Sequence, residues 1–190
     1  MGTFKKYKID EELYKGHKGE YIVTNVLNEL HDNLQQNVFV TRVPNDKDIQ
    51  QSGIDAYVNE IDENDNLIPF ASIEIKTDFS TKYQSLFVEE HSDFDSGKKE
   101  IGYLWGSQAD YLCYYFAYHK KLYVMDFRKF RAHMTQKLNS KNPYILNHKR
   151  KEEKTETTYY YIVPLADIQD IIYKIDVNYD FDQVEYNEGD

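Results

Sequence analysis

No apolar run in this 190-residue chain approaches the roughly 20 residues that a membrane-spanning helix needs. The first ten residues, MGTFKKYKID, contain no apolar stretch of the kind a secretory leader carries, so neither a leader nor a membrane partner is expected. Lys6 stands where a myristoylation pattern starting at Gly2 would need Ser or Thr. Cysteine occurs once. Cys113 has no internal partner and lies in an apolar strand, which fits a buried thiol in a reducing cytoplasm. The six histidines, His17, His31, His91, His119, His133 and His148, are scattered without zinc-ligand spacing. There is no Gly-rich phosphate loop and no Gly-x-Ser-x-Gly elbow. These absences exclude a disulfide scaffold, a structural zinc module, a P-loop nucleotidase and a serine hydrolase of the elbow type.

What is present describes one soluble domain with enough chain for a core: 41% hydrophobic and 29% charged residues. The net charge of −10 argues at first sight against a nucleic-acid partner. Six of the acids, however, follow Lys174 with no base among them, which leaves −4 for the remainder. The expected division is a domain over residues 1–175, with 139–158 as a flexible insertion and 176–190 as an acidic, disordered tail. The 18 tyrosines could stack on bases, but in strands they read better as half-buried core.

Hydrophobic periodicity gives the order of elements. Residues 1–9 read as a loose basic arm, and Asp10 as the cap of a helix from Glu11 that Gly16 and Gly19 weaken into two segments. Ile22, Val23, Val26, Leu27 and Leu30 form one stripe, with Glu20 at its flank. Strands are expected over 37–43, 85–90, 109–117, 122–126 and 159–163. Residues 91–100 read as a charged loop, and 101–109 as a helical turn. Asp126 caps a helix that buries Phe127, Phe130, Met134 and Leu138. Its other face, Arg128, Lys129, Arg131 and Lys137, is either solvated or in contact with phosphate. Pro164 is expected to start a last helix with Leu165, Ile168, Ile171 and Ile172 inward.

The chemistry concentrates in residues 51–76. They read as a β-hairpin whose turn is the polar run Asp62-Glu63-Asn64-Asp65-Asn66. A turn centred between Asn64 and Asp65 sets Asp55 opposite Glu74, with Cβ atoms about 4.5–5.5 Å apart. Pro69 cannot donate to the ladder and marks an edge or a bulge that could slip this register. Glu74 and Lys76 share one face of the strand, and Ile73 and Ile75 the other. Facing carboxylates repel unless something binds between them, and Mg²⁺ takes one or two carboxylates, waters and a phosphate oxygen. A nearby lysine can orient a water or offset charge on phosphorus.

The sequence Gly53-Ile54-Asp55, a hairpin, then Glu74-Ile75-Lys76, preceded by a helix with Glu20, resembles the PD-(D/E)xK nuclease superfamily over roughly residues 10–126. Ile54 stands where the superfamily's proline precedes the aspartate. The run Trp105-Gly106-Ser107-Gln108-Ala109-Asp110-Tyr111 is similar to phage-type members, and restriction-endonuclease-like and resolvase-like members share the same order. The resemblance implies an α/β fold with a restriction-endonuclease-like αβββαβ core, a mixed central sheet flanked by helices. It implies a cytoplasmic Mg²⁺- or Mn²⁺-dependent deoxyribonuclease acting on DNA. Asp55, Glu74 and the Ile75 carbonyl would ligate the metal, Lys76 would position or activate the water, and Glu20 would assist. On the helix alone Glu20 reads as a solvated glutamate. Lys82 reads as a phosphate contact or a solvated loop lysine, and Glu89 matches an acidic position of phage-type members. Double-strand cutting would need two such sites and hence a homodimer, which no residue pattern encodes. The competing expectation is a catalytically retired nuclease fold, or an acidic protein that mimics nucleic acid.

Overall fold

The computed structural model describes residues 3–43, 52–79, 84–151 and 156–186. The loop expected at 44–48, and Lys82, lie outside the described residues. The chain folds as mixed α/β. Helix α1 (Thr3–Asn33) leads into β1 (Val38–Arg42), β2 (Ala56–Ile61) and β3 (Leu67–Asp78). Then follow β4 (Ser85–Phe94), β5 (Lys99–Ile101), the single turn α2 (Tyr103–Gly106), β6 (Tyr111–Phe116), β7 (Lys121–Asp126) and α3 (Phe127–Leu138). The chain continues through β8 (Leu146–Lys151), β9 (Glu156–Pro164), a 3₁₀ turn (Leu165–Ile168) and β10 (Ile172–Asp176).

Six strands form one mixed sheet in the order β1-β2-β3-β6-β7-β10, with β3 and β6 parallel and the other neighbours antiparallel. The remaining four form a second sheet, β5-β4-β9-β8. Strand β6 sits centrally and is buried on both faces from Leu112 to Phe116, which is why it reads as a continuous apolar run. On one face, Ile22, Val23, Val26 and Leu27 of α1 pack onto Val40, Ala56, Ile73, Ile75, Cys113 and Tyr115. The other face meets α3 through Phe127, Phe130 and Met134, and the second sheet through Leu86, Val88 and Val163. Helix α1 alone covers the first side of the sheet. A helix and a second sheet share the other side, where helices alone were expected.

The paired inner end of the hairpin keeps the register that the sequence predicts, and the bulge that Pro69 signals lies outward of it. Asp62 Oδ1 accepts from the Asn64 and Asn66 N–H groups at 2.8 Å each, which closes the turn. The outer ladder pairs Ile61 with Leu67 and Asn59 with Pro69, one residue off the predicted register. A bulge at Phe70 then adds one residue, so Val58 pairs with Ala71 and Ala56 with Ile73. Asp55 follows beyond the last paired residue, and its Oδ2 accepts from the Ile75 N–H, next to Glu74 in the chain. Pro69 sits at that bulge, where its missing N–H costs least.

Several expectations need correction. α1 is one unbroken helix, so residues 3–9 are helical and Asp10 is no cap. Gly19 is there for packing: a Cβ on it would stand 2.0 Å from Thr77 Oγ1 of β3. Leu30 of the apolar stripe is exposed. β4 runs on to Phe94 and turns into β5, so 91–100 is a hairpin. Residues 146–151 of the insertion expected at 139–158 form β8, paired with β9, which itself begins at Glu156. The last helix is only a 3₁₀ turn burying Ile168, and Ile172 begins an edge strand on β7. The tail is not disordered through residue 186. The Val177 N–H donates to Lys120 O at 2.9 Å, Val177 and Phe181 are buried on the α1 side of the sheet, and Tyr186 is buried beside Tyr14 and Tyr21 of α1, 5.7 Å between ring centroids in each pair. Cys113 is fully buried as expected, and burial pushes its thiol pKa up to about 12.

The two helix glycines should behave oppositely. A Cβ on Gly16 meets nothing within 4 Å, so Gly16→Ala should stabilise by roughly 0.5–1 kcal/mol. Gly19→Ala must push α1 off β3 and should cost about 1–3 kcal/mol or more. Urea unfolding of the two variants measures both. A Gly19→Ala protein as stable as wild type would refute the close helix–strand contact.

Candidate metal and phosphodiester site

Asp55 links the predicted residues: its charge acts on Glu20, Glu74 and Lys76, while Glu20 and Asp55 line one cleft and Lys76 lines another. Asp55 lies just before β2, beyond the last paired residue. Its N–H donates to Ile73 O at 2.8 Å, and its Oδ2 accepts from the Ile75 N–H at 2.7 Å. The side chain therefore caps β3 where β2 has ended. In an extended strand a residue's N–H and C=O leave on the same side, so the Ile75 carbonyl is directed to the edge at which Asp55 lies.

Glu74 is 2% exposed. One of its oxygens, Oε1, is ion-paired with the Lys76 ammonium. The other, Oε2, is buried without a hydrogen-bond partner. Burial, and after it the charge of Asp55, raise the Glu74 pKa above the ordinary glutamate value, with Lys76 and Ser107 opposing. An orphaned buried carboxylate oxygen carries its full desolvation cost, about 1–3 kcal/mol or more for a charged group. That is the place where a cation would be held.

Gly53 makes this arrangement possible. Its φ of +65° lies in the left-handed region, and a Cβ there would stand 2.6 Å from Glu74 Oε2. The run Ser107–Asp110 fixes this turn in place. Ser107 Oγ donates to Gly53 O at 2.8 Å, and the Gln108 N–H to Ser52 O at 2.8 Å. Asp110 Oδ2 accepts from Ser72 N–H and Oγ at 3.0 and 2.8 Å. Arg131 holds the run from the other side: its Nε donates to Leu104 O at 2.7 Å and its Nη2 to Ser107 O. Arg131 is therefore committed to structure and leaves the basic face of α3 expected for phosphate contact. Lys137 likewise pairs with Asp167 at 3.6 Å, while Arg128 and Lys129 stay exposed.

Burial would lower the Lys76 pKa, but the charges of Glu74 and Asp55 outweigh it and raise it overall. Lys76 is thus a firmly held ammonium, about a third exposed (36%), with Nζ 5.2 Å from the Tyr103 ring centroid. It can orient and neutralise. It cannot take a proton from water while this pair holds.

Glu20 reaches the site from α1. It lines a cleft of about 260 Å³ together with Asp55, His17, Val43 and Ile54. Burial, then the charge of Asp55, raise its pKa, while His17 and Arg42 act against this. Its Oε2 lies 3.3 Å from Arg42 Nη2, so it is neither freely solvated nor unpaired. Arg42 in turn donates to Tyr186 Oη at 3.3 Å. His17, Arg42 and Tyr186 were not foreseen. His17 stands one helical turn before Glu20, the one signal that could have flagged it.

Among the described residues no three Asp, Glu, His or Cys side chains stand close enough to form a metal cage. The arrangement suits a hard cation that needs few protein ligands: Asp55, Glu74 and the Ile75 carbonyl. No helix among the described residues is long and apolar enough to cross a membrane. No family model, curated protein or solved structure matches the chain.

The crowding of acids around Asp55 predicts a pH signature. Glu20 and Glu74 titrate above their ordinary 4.5, so the metal-free native state keeps protons that the unfolded chain has released. Their contribution to stability is full below about 4.5 and is lost as pH rises through the raised native values. Asp55→Asn removes one repelling charge and keeps an oxygen for the Ile75 N–H. Without metal it should equal or exceed wild type in stability, with the advantage larger at pH 7.5 than at pH 5. Asp55→Ala leaves the Ile75 N–H unsatisfied and should cost about 1–3 kcal/mol. Urea unfolding at both pH values tests this. An Asn variant destabilised equally at both would mean that Asp55 is an ordinary structural partner.

Proposed function

We propose that this protein is a metal-dependent deoxyribonuclease that hydrolyses DNA phosphodiester bonds. The observation that carries the reading is the partnerless, buried Glu74 Oε2 beside Asp55, with the Lys76 ammonium on the same carboxylate. The order α1-β1-β2-β3, then α2 and a β6 parallel to β3, supports a PD-(D/E)xK-type, restriction-endonuclease-like core with β4 and β5 inserted.

In this reading Asp55, Glu74 and the Ile75 carbonyl would hold one Mg²⁺ or Mn²⁺, and Glu20 would serve as a further acid. Such an ion would supply Lewis-acid neutralisation of the scissile phosphate and acidify an attacking water. Lys76 stays protonated, orients that water and offsets the charge that develops on the phosphoryl oxygens. Glu20, whose pKa burial and Asp55 raise in the cleft it shares with Asp55, is the carboxylate placed to accept the water's proton. Cleavage by attack of water on phosphorus leaves a phosphate on one side and a hydroxyl on the other; 5′-phosphate and 3′-hydroxyl ends follow from the superfamily resemblance. Double-strand scission by a homodimer and a cytoplasmic location belong to the same reading.

The competing reading is a retired nuclease scaffold or an acidic mimic of nucleic acid. It draws on the net charge of −10 and the absence of a three-acid group among the described residues. Three measurements separate the two. Purified protein should nick plasmid DNA with Mg²⁺ or Mn²⁺ and stop on EDTA. Lys76→Ala should lose cleavage by a hundredfold or more and still bind metal. Mn²⁺ at about a hundredfold excess over Kd should stabilise wild type by about 2.7 kcal/mol, and Asp55→Asn by far less. A wild type that neither cuts DNA nor shifts its melting temperature with metal would eliminate the nuclease reading.

A further inference from the structure

A second cleft, of about 360 Å³, opens on the far side of β3, and Lys76 forms part of its wall. The second sheet builds the opposite wall. Alternation along β4 and β9 sends Leu86, Val88, Tyr161 and Val163 into the core and turns Phe87, Glu89 and Tyr160 to the cleft. Phe87 and Tyr160 are neighbouring rings with centroids 5.5 Å apart. Tyr103 stands across from them and donates through its hydroxyl to Phe87 O at 2.7 Å, which holds the walls at a fixed distance. Lys149 of the edge strand β8 is exposed at the rim. The cleft therefore offers aromatic faces between two ammonium groups, Lys76 and Lys149, and a carboxylate, Glu89, that can only accept hydrogen bonds.

We propose that this cleft binds one unpaired nucleotide of the DNA strand being cut; the identity of the ligand as DNA rests on the nuclease reading. Aromatic faces match a nucleobase, and the two ammonium groups match the phosphates on either side of it. Glu89 favours N–H donors on the base edge and disfavours a phosphate at the same point. A paired base is enclosed in its stack and cannot reach ring faces inside a cleft of this size, so the nucleotide must be single-stranded, frayed or extruded. Because Lys76 belongs both to this cleft and to the Glu74 pair, the captured nucleotide adjoins the phosphate presented to Asp55 and Glu74. The substrate class is thus DNA with unpaired ends, flaps or junctions, ahead of continuous duplex.

The test is equilibrium binding in EDTA, where no cleavage occurs and no metal is required. Wild type is titrated with a fluorescein-labelled 12-nucleotide single strand and with the duplex of the same sequence, by anisotropy. The expected result is tighter binding of the single strand. Tyr160→Leu should weaken it about tenfold, the size of one base–aromatic stack, with duplex binding unchanged. Lys149→Gln, at an exposed position that should not affect folding, should weaken single-strand binding and reduce its salt dependence. Equal affinity for single strand and duplex, no single-strand binding by wild type, or Lys149→Gln and Tyr160→Leu proteins that bind as wild type does would each overturn the cleft assignment. Those outcomes stand apart from the nuclease reading. Plasmid nicking with Mg²⁺ by a protein that ignores single strands would retain the nuclease and reject the cleft, and single-strand binding without nicking would do the reverse.

Discussion

A carboxylate buried to 2% exposure with one oxygen unpaired is the constraint around which this molecule is arranged. Nothing larger than a glycine fits beside it, so Gly53 takes a left-handed turn there. That turn must be held, and Ser52, Gly53 and Ser72 are tied to the Ser107–Asp110 run that leads into β6. The run must itself be fixed, and Arg131 spends its guanidinium on the carbonyls of Leu104 and Ser107. The charge must be balanced, and Lys76 is two residues away on the same face. Each of these side chains is explained by the one before it, back to Glu74.

The electrostatics follow from the same crowding. Asp55 raises the pKa of both Glu20 and Glu74, and it also strengthens the proton affinity of Lys76. Glu20, Glu74 and Lys76 are therefore set by their charged neighbours and not by burial alone. Lys76 is the member held most firmly in its charged form, which assigns it orientation and charge neutralisation and leaves proton transfer to the carboxylates.

Local signals read well where one element settles them. The Asp62 turn, the Asp126 cap with its 2.9 and 3.1 Å bonds to Arg128 and Lys129 N–H, and the sharing of one face by Glu74 and Lys76 were all legible. So were the inner register of the hairpin, down to Ala56 opposite Ile73, and the bulge that Pro69 marks. Signals failed where a distant partner decides. Gly19 reads as a helix breaker until Thr77 is known to lie against it. Ile168, Ile171 and Ile172 have helical spacing, yet Ile172 pairs with Met125 because β7 would otherwise be an open edge. The acidic stretch after Asp176 looks unfoldable by composition, but three of its apolar residues find α1 and the sheet. Arg42 of β1 pairs with Glu20 and in turn bonds Tyr186 near the end of the described chain, a juxtaposition that no sequence pattern contains, whereas His17 is Glu20's neighbour by helical spacing.

The bulge at Phe70 separates the hairpin into two mechanically independent parts. Outward of it, the ladder counts from the Asp62 turn; inward of it, the ladder counts from Ile73 and Asp55. A residue gained or lost in the distal loop would shift the outer count, and the bulge is the joint at which that shift can be taken up or released. Evolution can therefore lengthen, shorten or decorate the tip of this hairpin, where Leu67, Ile68 and Phe70 are already exposed, without turning Glu74 away from Asp55. A tip that can change length and an inner end that cannot are thus built into a single continuous β3.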